Sequence, residues 1–80
     1  MNRAELIQHA EQIYETRLKA DLERTNPDSF VAIEPNSGDH FLGRTLSEAS
    51  AAAHAAHPNR RAVVLRVGHR VTVHLGAGAS

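Results

Sequence analysis

Between Phe30 and Gly68 five patterns follow one another without a gap: a short apolar run, an Asn-Ser-Gly-Asp turn, Phe-Leu-Gly, an alanine-rich stretch and a valine-rich run. That order spells hairpin, helix and strand, and it constrains the fold more than any other feature of the chain. Ser29 to Glu34 reads as a strand. Pro35-Asn36-Ser37-Gly38 supplies a tight turn, with Gly38 tolerating a positive φ and Asn36 bonding its own backbone. His40 to Gly43 returns as the second strand of the hairpin.

Thr45-Leu46-Ser47-Glu48 fits a capping box, in which the Thr45 hydroxyl accepts the Glu48 amide and the Glu48 carboxylate reaches back to the Thr45 amide. The helix it starts continues through the alanines to His57-Pro58-Asn59, because the residue before a proline is pushed out of the helical region. Small side chains at Ala49, Ala52, Ala53 and Ala56 allow this helix to lie close to a sheet. From Arg61 to Val67 the pattern alternates, and Val71, Val73 and Leu75 repeat it after Gly68. Keeping Val63, Leu65, Val67, Val71, Val73 and Leu75 on one face requires Val67 opposite Val71, hence a loop of Gly68, His69 and Arg70 or an equivalent bulge. Arg66, Thr72 and His74 then share the other face. Gly76 to Ser80 has nothing to bury and is expected to fray.

Ahead of the hairpin, Leu6, Ile7, Ala10, Ile13, Tyr14, Leu18 and Leu22 recur at three-to-four spacing between charged residues, which predicts an amphipathic helix from about Arg3 to about Arg24. At 1.5 Å per residue it is roughly 30 Å long, long for so small a chain. Most of its stripe is expected to pack within the chain's own core, and part, with Leu6, Ile13 and Leu18 as candidate interface residues, is available to a second copy or a partner. Thr25-Asn26-Pro27-Asp28 stops the helix. The expected fold class is α+β in the order α-β-β-α-β-β: one small domain over residues 1–75, with the helix at 1–24, a ββαββ core at 29–75 and a tail at 76–80.

A chain of 80 residues whose only aromatics are Tyr14, Phe30 and Phe41 has a modest core. At roughly 25 cal/mol per Å² of buried apolar area it gains little stability to spare, which predicts self-association as a homodimer or a complex with another protein. The absence of cysteine excludes disulfides, thiolate metal sites and sulfur redox chemistry. The first residues are polar where a signal peptide needs an apolar block, and no run reaches membrane-spanning length, so a soluble cytoplasmic protein with no membrane partner is expected.

Nine basic and nine acidic residues cancel, but unevenly: beyond Glu48 there are four arginines and no acid. Such an asymmetry can mark a surface for nucleic acid or another anion, with Arg60, Arg61, Arg66, Arg70 and His74 as its candidate residues. The plainer reading is that these arginines line the solvated face of a strand, since no aromatic residues interleave with them.

The stretch Phe30-Val-Ala-Ile-Glu34, Gly38-Asp39 and Gly43-Arg-Thr45-Leu-Ser-Glu48-Ala49 resembles small bacterial domains of unknown function that read as a hairpin, a Gly-x-Thr-x-x-Glu-Ala helix start and a closing strand. It is also similar to antitoxins of the HicB type, which have a comparable run at the hairpin-to-helix junction of a partial ribonuclease-H-like fold. The resemblance spans Phe30 to about Gly68. It implies the binding of another protein, as those antitoxins sequester a toxin. Their separate DNA-binding segment has no counterpart here, the extra helix of this chain precedes the sheet, and no catalytic residue carries over.

Candidate chemistry is sparse. His54 and His57 stand three apart on one helical face, a spacing that could supply two imidazoles, but no acid follows Glu48 and a third ligand would have to come from His40, His69, His74 or a distant carboxylate. Glu34, Asp39 and Glu48 could be read as a carboxylate cluster for magnesium. Glu48 is used by the capping box, Asp39 by the turn, and Glu34 flanks Pro35. No phosphate loop or nucleophile motif is present. The expectation is a noncatalytic protein-interaction module without cofactor or metal, the antitoxin-like or regulatory partner in a bacterial two-gene system. It docks by a sheet edge or by the first helix; the alternative is nucleic-acid or anion binding through the basic C-terminal strands.

Overall fold

In the computed structural model, which describes residues 2–69 and the backbone of 74–75, Asn2 caps the first helix. Its side chain accepts the Glu5 amide at 2.9 Å while the Glu5 carboxylate accepts the Asn2 amide at 3.1 Å, a reciprocal capping box. Helix α1 (Arg3–Ile13) runs without a break into a π-helical segment (Tyr14–Leu18) and then α2 (Lys19–Thr25). The extent matches the sequence pattern, but the π turn does not follow from it.

That turn decides what the helix buries. In an unbroken α-helix at about 100° per residue, Leu22 would lie about 160° around the axis from Leu6. One extra residue in a π turn rotates the second half back by about 100°. Leu6, Ala10, Ile13, Tyr14 and Leu22 accordingly share one buried cluster, with Ile7 and Leu18 packed against it. The Thr16 hydroxyl donates to the Gln12 carbonyl at 2.7 Å inside the distorted stretch, a back-bond that accompanies such bending. Leu6 and Ile13 are each only 6% exposed, so most of the stripe packs in the chain's own core.

Strands β1 (Phe30–Ile33), β2 (His40–Gly43) and β3 (Val63–Arg66) form an antiparallel sheet with β1 in the centre. The backbone of β4 (His74–Leu75) pairs with β3, giving the order β2-β1-β3-β4. Val63 faces Leu75 and Val64 faces His74; the expected pairing of Val67 with Val71 lies outside the described residues. Arg70, Val71, Thr72, Val73 and the segment Gly76 to Ser80 lie outside the described residues. The expected α+β class, with an N-terminal helix, one further helix and an antiparallel sheet, is the class of the structure. Among the described residues no helix is long and apolar enough to cross a membrane.

Alternation along the strands sends side chains to two faces, and both are covered. Val31, Ile33, Val63, Leu65 and Val67 meet the N-terminal helix. Ala32, Val64 and Ala62 meet α3 (Leu46–Ala56) through Ala49 and Ala53, with Phe30, Phe41 and Leu46 at the margin. Arg66, on the same side as Val64 but at the end of β3, is exposed. Val64 is fully buried, because the small residues of α3 let the helix lie against the sheet, and a buried valine contributes about 1.5–3 kcal/mol.

The β2-to-α3 junction is tight. A Cβ on Gly43 would overlap the Ala49 amide nitrogen and the Glu48 Cβ. Thr45 caps α3 by accepting the Glu48 amide at 3.1 Å, as the motif predicts. The Glu48 carboxylate, however, accepts the amide of Arg44 at 3.0 Å rather than that of Thr45.

Candidate functional site

The β1–β2 turn is built on a buried carboxylate. Glu34 has no solvent exposure, yet its side chain accepts the Asn36 amide at 2.8 Å and the Ser37 amide at 2.9 Å, and lies 3.3 Å from Arg60 Nη1. Burial pushes this carboxyl up. The bonds from Asn36, Ser37 and Arg60 outweigh that and hold it below the usual carboxylate range. The side chain that organises the turn is thus Glu34, not Asn36. Its one sequence signal is a carboxylate two residues ahead of the turn's first free amide. The turn closes by Gly38 donating to the Glu34 carbonyl at 2.8 Å, with Gly38 at φ +79°, a conformation glycine adopts without strain.

Beside it, His57 at the end of α3 places Nε2 at 2.9 Å from Asp39 Oδ2 and 3.5 Å from Ser37 Oγ. The Phe41 ring meets the His57 imidazole edge-on, with centroids 6.1 Å apart. A hydrolytic triad holds its serine and its acid on opposite nitrogens of the histidine. Here both contacts fall on the same nitrogen, and Ser37 Oγ also accepts the Asp39 amide at 3.1 Å, so this trio clamps the hairpin to α3. His54 is exposed on α3 and apart from the clamp. Among the described residues no three His, Cys, Asp or Glu side chains come together in a group that could hold a metal ion.

Of the candidate anion residues, the structure describes the side chains of Arg60, Arg61 and Arg66. Arg60 is engaged with Glu34. Arg61 is exposed ahead of β3, and Arg66 ends that strand with its guanidinium 5.5 Å from the centre of the Phe30 ring, a cation–π contact. Five extended residues put Arg61 and Arg66 about 17 Å apart. Arg70 lies outside the described residues, and His74 is described only through its backbone pairing. Of the candidate interface residues, Leu6 and Ile13 are core and Leu18 is half-buried against the same cluster.

Among the described residues, the outer edge of β2 is left without a paired strand. β2 pairs with β1 alone. Glu34 donates its amide to the Asp39 carbonyl at 2.9 Å, and the alternation of an antiparallel ladder then turns the N–H and C=O groups of His40 and Leu42 outward. Leu42 is opposite Val31, on the face the first helix covers, but the helix does not reach it. At 39% exposure it is the one exposed large hydrophobic among the described residues. Sequence reading passed over it, although Phe41-Leu42 in a two-faced strand can send only one of its two side chains toward α3. Compared with known proteins, the chain matches no protein-family model, no curated protein and no solved structure.

Proposed function

We propose that this chain is a noncatalytic protein-interaction module that docks through the free edge of β2. The observation that carries the reading is Leu42, exposed on an outer strand whose outward backbone groups are open to another strand. Edge addition of this kind takes its affinity from main-chain hydrogen bonds and its specificity from alternate side chains. A noncatalytic role agrees with how the polar groups are used, since Glu34, Asp39 and Glu48 are each committed to a structural bond. The resemblance of the stretch from Phe30 to Gly68 to HicB-type antitoxins supports a small protein as the partner.

The test is affinity co-purification from the native host after nuclease treatment, with the wild-type chain and Leu42→Asp side by side. A stoichiometric protein recovered with the wild type and lost from the variant is the expected result, with thermal unfolding of the variant unchanged. Nucleic acid without protein, or a partner that stays on the variant, overturns it.

A further inference from the structure

The open edge of β2 is bounded at both ends by cations. Arg17 Nη1 lies 3.3 Å from where a Cβ on Gly38 would stand, so a guanidinium from the N-terminal helix rests against the turn that leads into the strand. Arg44 follows Gly43 at the other end. Both arginines are exposed, and neither belongs to an ion pair among the described residues. The nearby carboxylates are engaged: Glu34 with turn amides and Arg60, Asp39 with His57, Glu48 with the Arg44 amide. Between the cations stand His40 and Leu42, both exposed. From Gly38, where the Arg17 guanidinium rests, to Arg44 extended backbone covers about 20 Å.

Building on the reading of β2 as a docking edge, we infer that its occupant is an extended segment of a partner protein in which one apolar residue sits between two acidic residues, two positions from one and four from the other. Residues two apart in a strand share a face. The apolar side chain covers Leu42, and the flanking carboxylates meet the cations at the two ends. Complementary charge of this kind selects among partners and speeds encounter, and a basic segment is repelled. A second copy of this chain fits poorly: pairing two β2 strands with Leu42 opposite Leu42 sets His40 beside Arg44 of the other copy, with no acid between them.

Two acetylated, amidated peptides test this against the full chain: Thr-Glu-Thr-Val-Thr-Thr-Thr-Glu-Thr and its counterpart with lysine in place of glutamate, followed by amide chemical shifts. The acidic peptide is expected to shift the His40 and Leu42 amides and to bind at least about tenfold tighter than the lysine peptide at low salt. The preference shrinks as salt screens it and reverses in the double variant Arg17→Glu, Arg44→Glu. Equal binding of the two peptides at β2 removes the acidic partner while leaving the docking edge in place. Shifts outside β2, or none, also overturn the inference. Neither failure alters the co-purification result with Leu42→Asp, so the two readings fall separately.

Discussion

The Arg60 guanidinium lies 3.3 Å from the buried Glu34 carboxylate across 26 residues of sequence, tying the segment that enters β3 to the turn that leaves β1. A second strap, between His69 and Asp28, joins the far ends of the same two strands. Asp28 sits there at φ +68°. The hairpin is thus held by a charge whose partners are mostly backbone amides.

Glu34→Gln is expected to cost about 1–3 kcal/mol, because amides that meet a charged acceptor are left with a neutral one. The folded carboxyl is held below its ordinary value of 4.5. Its contribution is therefore complete above that value and is lost as pH falls through the lower, folded value. Urea unfolding of both proteins across the acid range checks this: the wild type should lose an increment of stability on acidification that the variant lacks. Parallel pH profiles would remove Glu34 as its source.

Gly43→Ala is expected to destabilise by about 1–3 kcal/mol through overpacking. The backbone of β2 cannot retreat from α3 without disturbing the Thr45 cap. In a domain of this size that lowers Tm by roughly 4–8 °C per kcal/mol. An unchanged melting curve would show that the junction yields.

Ile13→Asp and Leu42→Asp separate core from edge. Ile13 is 6% exposed and Leu42 39%, so the first buries an unpaired charge and abolishes cooperative unfolding. The second changes stability by about 0.5 kcal/mol or less. Circular dichroism on both variants decides it, and a folded Ile13→Asp protein would return the helix stripe to the surface.

Deleting the exposed Thr16 removes the extra residue of the π turn. An ordinary α-helix through that point keeps Leu6 and Leu22 on one face. The shortened chain is expected to fold with its cooperative transition intact and its Tm within a few degrees of the wild type. Loss of the transition would mean that the π geometry itself is required.

Much of the element order was legible from local signals. Thr45 and Glu48 start α3, Pro27 and Pro58 end helices, and Gly38 marks the turn. Each acts on neighbours within four residues, through a cap, a forbidden dihedral or a permitted one. The candidate site was less legible. Leu6 and Ile13 looked like spare stripe because helix length was weighed without the surface it covers, and Arg60 looked like part of a basic patch because its acid lies 26 residues away.

Capping, proline exclusion and side-chain alternation are properties of short segments, so the sequence by itself determined where helices and strands begin, which strand residues alternate, and the α+β class. Tertiary structure alone decided that a π turn brings Leu22 onto the face of Leu6, that α3 covers Val64, that Glu34 is buried beneath its own turn and that β2 keeps an open edge at Leu42. These depend on which surfaces meet across long stretches of chain. Burial and ion pairing depend on what stands opposite a residue, and local periodicity carries no record of that.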